Sequence, residues 1–415
     1  MIKNKDFTIL LLGRLLTNFG DSIYSIAASL LVYELSGSVL ASGFMLFLTS
    51  FTAIIQLLFS PVLDRINMRK FLIFSQLLQA ILVLALPLLL HTGKLQVVHV
   101  MVLTPLIALV NQLVYPGQIA LLPKILSKEE LVKGNAFFTM AYQGSNALFD
   151  TAAGLLLAGA GYLLSLFCNS AVFFMTAILF TFLSRAGLGD GKRVEKEMSK
   201  NPFKGYRNRL KEGLSLFRES RLQALLIGII AINFAATGVT AVLPAFTGNK
   251  IFYSLMMAAM GGGVLLGAFA SGLSFFKNCA LGKLYIVGMA LVGIFWLSSS
   301  QLQHLPAGAL VFYAGGWVVI GIVNVYAQTM VQRLVPQQNM GGAMGVMMGL
   351  STLLAPFGAL SGGWIGETLG SVPAIRLASL LILLVSLYWG WQPSLRTIPT
   401  FEAMEGGERG REARL

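Results

Sequence analysis

Apolar residues in this chain come in long unbroken runs separated by short polar clusters, with no strand-like alternation. A helix needs about 20 apolar residues to cross the hydrocarbon layer of a bilayer. The runs predict such spans at residues 8–33, 39–60, 70–91, 97–121, 135–157 and 160–183, then at 222–246, 251–275, 281–300, 306–332, 340–366 and 371–392. The expected fold class is therefore an all-α membrane protein with twelve transmembrane helices in two pseudo-symmetric six-helix bundles. The N-terminal bundle covers 1–184, a cytoplasmic linker 185–221, the C-terminal bundle 222–392, and a polar, disordered cytoplasmic tail 393–415. In the linker, Phe203, Tyr206, Leu210, Leu214 and Phe217 recur at spacings of three and four between basic residues. That spacing predicts an amphipathic helix on the inner membrane surface, the alternative being a solvated connector.

Composition narrows the function. Only 11% of the 415 residues are charged and 56% are hydrophobic, against about 25% charged in soluble domains. Soluble enzymes and nucleic-acid binders are excluded on that ground, in spite of a net charge of +13. With both termini inside, 26 of the 30 Lys and Arg residues fall on cytoplasmic segments, and only Lys94, Lys250 and Arg376 fall outside. Positive charge is retained on the cytoplasmic side during insertion, so the expected location is a bacterial cytoplasmic membrane, multi-pass, with N and C termini cytoplasmic. The first apolar run is too long for a cleavable signal and reads as the first span. Cys168, Cys279 and the three histidines form no metal-ligand spacing. No nucleophile–base set or phosphate loop occurs either. The chain is read as a non-enzyme without metal or cofactor, and as a probable monomer.

The two halves repeat. Asn111 lies twelve residues before Pro123 and Asn324 twelve before Pro336, while Asn18-Phe19 matches Asn233-Phe234. The offsets of 213 and 215 agree with the six-plus-six count, and two such units with a binding site at mid-membrane form a known transporter plan.

Ionisable groups inside the membrane need a partner, a cavity or a function. On the first span Arg14, Asn18, Asp21 and Ser25 share an arc of about 60°, and on the fifth Asn135, Thr139, Gln143, Asn146 and Asp150 share about 80°. Arg14 and Asp21 are two turns apart, roughly 10 Å, which predicts only indirect pairing. Asp21 and Asp150 are the candidate proton carriers, with Arg14 modulating Asp21, and a proton gradient is the expected energy source. The candidate substrate cavity is walled by Asn18, Asn111, Tyr115, Gln143, Asn146, Asn233, Thr237, Trp317, Asn324 and Gln328. Amides, hydroxyls and aromatics in combination suit a small amphipathic organic substrate. Helix–helix hydrogen bonding is the competing role for the neutral members. Gly261–Gly263, Gly267 and Gly272, with Gly358, Gly362 and Gly366, predict close helix approach, and Pro356 predicts a bend.

The turn after the second span reads Ser60-Pro61-Val62-Leu63-Asp64-Arg65-Ile66-Asn67-Met68-Arg69-Lys70. It resembles the cytoplasmic loop motif of the major facilitator superfamily, G-x-L-A-D-R-x-G-R-K. The resemblance implies a cytoplasmic gate latch at Asp64, Arg65, Arg69 and Lys70. Leu122-Pro123, Ser127-Lys128-Glu129-Glu130-Leu131, Lys211-Glu212-Gly213 and Leu334-Val335-Pro336 resemble the drug:proton antiporter branch that contains macrolide efflux proteins and the enterobactin exporter. This resemblance implies proton-coupled, alternating-access export of a drug or of a siderophore-like metallophore. The alternatives are a lysophospholipid flippase of the same fold and a transport-inactive sensor or assembly partner.

Overall fold

The computed structural model describes residues 4–63, 67–143, 145–184, 220–334, 347, 349–398 and 400. The amphipathic pattern at 203–217, the expected gate residues Asp64 and Arg65, and the tail beyond 400 lie outside them. The first half contains α1 (Lys5–Ser36), α2 (Val39–Leu63), α3 (Met68–His91), α4 (Val97–Ile125), α5 (Lys128–Gln143) and α6 (Asn146–Thr181). The second contains α7 (Ser220–Thr247), α8 (Lys250–Ala270), the short α9 (Ser274–Lys277), α10 (Leu281–Gln301), α11 (Pro306–Leu334), α12 (Ala355–Leu369), α13 (Ser371–Trp391) and the short α14 (Pro393–Arg396). Among the described residues every regular element is a helix, and nine helices are long and apolar enough to cross a membrane. Large apolar side chains on their outer faces, such as Phe74, Ile81, Leu148 and Leu387, are left exposed, as a lipid solvent permits.

Chain polarity sets the helix ends. The Asn4 side chain accepts from the Asp6 and Phe7 N–H groups at 3.0 and 3.2 Å and starts α1. Gly37, at φ 65°, ends it by returning its N–H to the Tyr33 carbonyl. Asn67 and Asn249 start α3 and α8 in the same way, accepting from Lys70 and Phe252.

Three expected spans take a different form. The fifth is not one helix over 135–157: α5 stops at Gln143 and α6 begins at Asn146. The boundary between the fifth and sixth lies inside α6, at Gly161 (φ 71°, ψ 177°), a conformation that side chains resist. Before Gly161, Ser145 and Asp150 sit beside Asn18 and Ser22 of α1. After it the chain descends, with Phe173 against Gly20 and Phe180 against Gly13. The eleventh span is interrupted by a turn at 352–354, from which α12 restarts. Pro356 therefore stands in the first turn of α12 instead of bending a helix interior. It has no N–H to give, and the first turn is where none is needed.

The helices form two compact units, one drawn from Met1–Tyr206 plus Thr247–Ala258 and the other from Arg207–Phe246 plus Ala259–Leu415. In the first unit Phe7, Leu10, Leu72, Val114, Phe138 and Phe180 centre a continuous apolar core. The start of α8 is tied into this unit: Lys250 reaches Glu34 at 3.6 Å and lies 3.9 Å over the Tyr162 ring. Gly154 presses on Ser254 with no room for a side chain between them. In the second unit Trp389 donates to the Ala224 carbonyl at 3.0 Å and packs at a tilt against Tyr285, with ring centres 5.7 Å apart.

The glycine expectation is met by close backbone crossings. A Cβ on Gly267 of α8 would fall 2.0 Å from the Val318 carbonyl oxygen of α11, and one on Gly362 of α12 would fall 2.3 Å from the Gly238 carbonyl oxygen of α7. Without a hydrophobic drive between helices in lipid, this contact supplies the cohesion. Gly267→Val should therefore destabilise by about 1–3 kcal/mol through overpacking. It is read as a lowered melting temperature in detergent, whereas Gly159→Ala, with open space at its Cβ, should leave it unchanged or slightly raised.

Candidate functional site

The first unit holds a buried charge network on the α1 stripe. Arg14 is 1% exposed, and its Nη2 lies 3.3 Å from Oδ2 of Asp21, which is 24% exposed. The two side chains pair directly, correcting the expectation of indirect pairing. Helix rise alone separates them by two turns, but Cα–Cβ bonds tilt toward the N-terminus. Asp21 thus leans back while the long arginine reaches forward. Arg14 Nε donates to Asn18 Oδ1 at 2.8 Å, with Nη2 donating to the same oxygen. Nη1 reaches Gln118 Oε1 at 3.4 Å, and the guanidinium stands 5.8 Å from the Tyr115 ring centre. Asn18 passes the network on, donating to the Ala141 carbonyl at 2.9 Å and to Ser145 Oγ at 2.8 Å. One cation is therefore held by α1, α4 and the α5–α6 break together.

The network opens at Asp21. Asp21 lines a cavity of about 180 Å³ with Tyr24, Ser25, Thr49, Thr104 and Asn111. Asn111 approaches the same carboxylate, and the Tyr24 hydroxyl meets that of Thr104 at 2.8 Å. Arg14 is dry; Asp21 faces the cavity. Asp150 is half-buried beside the Ser22 hydroxyl, on another side of α1.

The second unit repeats the cavity without its charges. About 70 Å³ is lined by Ile229, Ile232, Asn233, Ala236, Trp317, Ile320 and Asn324, among others. At the offset of 215, Asn233 stands for Asn18, but Ile229 and Ala236 stand for Arg14 and Asp21. At 213, Trp317, Ile320 and Asn324 stand for Thr104, Ile107 and Asn111, which line the first cavity. Trp317 packs against Trp296 and Tyr313, with ring centres 5.3 and 6.1 Å away. Its buried indole N–H has no partner among the described residues.

The remaining candidates fall elsewhere. Gln328 is exposed on α11. Thr237 lies in the α7–α12 contact, donating to the Ala355 carbonyl at 2.7 Å. The side chains of Gln143 and Asn146 are outside the described set. Of the residues expected to form a latch, Arg69 donates to the Thr181 carbonyl at the end of α6, and Lys70 is exposed. Sequence reasoning missed Ser145 as an Asn18 partner and the pair of Glu34 with Lys250. Gln118 was visible, one turn beyond Tyr115 on the polar face of α4. No group of three or more potential metal ligands occurs among the described residues.

Arg14 keeps its proton in any environment, whereas Asp21 can accept one. Asp21→Asn should therefore destabilise more than Arg14→Gln, by about 3 kcal/mol for a broken buried pair. Arg14→Gln/Asp21→Asn together should recover much of the loss. Melting temperatures of the three variants in detergent test this order.

Comparison with known proteins agrees with the geometry. The chain is 23% identical over 396 residues to the MFS-type transporter YvqJ of Bacillus subtilis, covering 93% of this chain and 92% of that one. A bacterial homologue of the human lysosomal transporter Spinster, inward-facing and unoccupied, superposes with a TM-score of 0.70 at 11% identity, covering 96% and 98% of the two chains. A bacterial homologue of the iron transporter ferroportin, in an inward-facing state, gives 0.69 at 15% identity, covering 93% and 98%. The Major Facilitator Superfamily model matches residues 10–359, and the chain belongs to that superfamily of membrane transporters.

Proposed function

We propose that this transporter is a proton-coupled exporter of an amphipathic organic solute, with Asp21 as the coupling acid. The observation that carries the reading is the Arg14–Asp21 pair at the wall of the first cavity. As a pair the two charges cancel. When Asp21 takes a proton, Arg14 is left as a cation in a medium that penalises it, and it then seeks a carboxylate, a polar cargo group or water. Protonation and cargo binding thus act on one side chain. This linkage is what antiport requires, because a ligand shifts an equilibrium only through differential interaction with its states.

The unequal cavities support an amphipathic cargo. The first cavity carries Asp21 and one amide, Asn111, and Trp317, Ile320 and Met289 give the second an apolar wall with two amides. Walls that mix apolar side chains with a few polar groups suit an amphipathic solute, whether a hydrophobic drug or a carboxylated metallophore. Asp150 is the second candidate for the proton, and the exposed amides of Asn324 and Gln328 are candidates for lining a wet path, since lipid does not solvate them. The reading places the chain in a bacterial cytoplasmic membrane with both termini inside.

The experiment is accumulation in proteoliposomes over a panel of drugs and metallophores, with and without a protonophore. Asp21→Asn should lower proton-driven flux by an order of magnitude or more, the usual scale for a proton-transfer group. Cargo counterflow, which needs no net proton movement, should persist and show that the variant is folded. If Asp21→Asn and Asp150→Asn both keep full proton-driven flux, the coupling scheme is wrong. If the wild type moves none of the panel but moves lysophospholipid, the flippase reading replaces it.

A further inference from the structure

A further cavity is separate from the charge network. It is a groove of about 670 Å³ in the second unit, bounded by α9, the first three turns of α10 and the middle of α11. Its volume falls within the roughly 300–1,000 Å³ of ligand pockets. Leu284, Val287, Leu291, Val319, Ile322 and Val323 make its walls, and Phe275 and Phe276 flank its mouth. The polar lining groups are gathered at the α10 start: Asn278, Cys279, Lys283 and Thr400. Thr400 belongs at that end because Gly282 donates to the Ile398 carbonyl. From Lys283 to Leu291 the groove extends about 12 Å along the helix axis.

Two features decide what fills it. The first is charge: Lys283 is exposed, and among the described residues it has no ion pair and no acidic residue lines the groove. The second is continuity with the lipid-facing surface. Phe275 of the lining is 72% exposed, and Phe269 and Leu273, just before it in the chain, are 78% and 58% exposed, so the groove opens onto a surface that acyl chains solvate. A cation at one end and an apolar channel beyond it match the two ends of an anionic phospholipid, and basic pockets between membrane helices on the cytoplasmic side bind such headgroups.

We propose that this groove is a binding site for an anionic phospholipid, its phosphate on Lys283 and one acyl chain laid along α10 toward Leu291. The site does not depend on the proton-coupling scheme and needs no movement of cargo. Cys279, half-buried in the lining, is a reporter already in place.

The test uses the full chain in detergent, stripped of lipid and then given phosphatidylglycerol or phosphatidylcholine. Native mass spectrometry should show preferential retention of phosphatidylglycerol. Lys283→Ala should cut that preference roughly fivefold, the scale of one basic residue acting on anionic lipid, and Lys283→Arg should keep it. In a Cys168→Ala background, phosphatidylglycerol should slow maleimide labelling of Cys279 while phosphatidylcholine does so less. Equal retention of both lipids, or an unchanged preference in Lys283→Ala, would overturn the proposal. So would a Cys279 that stays protected without lipid and is uncovered only by truncation after Thr400, which would make the chain's own tail the occupant.

Discussion

A guanidinium withdrawn from water inside a membrane must be surrounded, and much of the first unit answers to that demand. Arg14 cannot shed its charge, so neighbours have to supply acceptors. Asn18, Asp21 and Gln118 do so, and the Tyr115 ring adds its face. Each acceptor is itself anchored: Asn18 on Ala141 and Ser145, Asp21 beside Asn111. The interruption between α5 and α6 is useful here. The Ala141 carbonyl lies in the last turn of α5, where carbonyls lack partners in their own ladder, and it accepts from both Asn18 and Ser145. The charge and the break therefore belong to one arrangement.

Duplication without equality is the second theme. The two halves keep their asparagines at matching offsets and build a cavity around each pair of helices, yet Ile229 and Ala236 replace the ionisable residues in the second copy. A repeated scaffold preserves where side chains point, and single substitutions then decide what each copy can bind. Within the second unit, glycine crossings bring α8 against α11 and α7 against α12, and side-chain bonds to backbone carbonyls, such as Tyr326 to Ser271 and Ser386 to Ile286, add to them.

Much of the fold was legible because hydrocarbon imposes a length, and a run of 20 apolar residues has few other uses. The glycine stripes were legible for a similar reason. What escaped depended on details that periodicity does not carry. Gly161 looks like any of the 44 glycines until its φ is known, so the fifth turn was placed two or three residues early. Pro356 was read as a bend because the turn before it has no distinctive composition. The Arg14–Asp21 pair was seen but judged too distant, since axial rise ignores the direction and reach of side chains. Ser145 could not be recognised as a partner, because only the three-dimensional path of α1 brings residue 18 beside it. Asn233, Asn324 and Trp317 line one cavity, and the repeat that relates the halves fixes their register.

The start of α8 carries a consequence for how the protein is made. Glu34 and Tyr162 are synthesised in the first half of the chain, but the lysine that joins them arrives only with residue 250. Gly154 likewise waits for Ser254. The first compact unit is thus finished by a segment translated after the second has begun, so maturation is interleaved instead of sequential. A gene divided in its middle would leave one fragment lacking part of its own interior; a division after Ala258 would keep that unit whole.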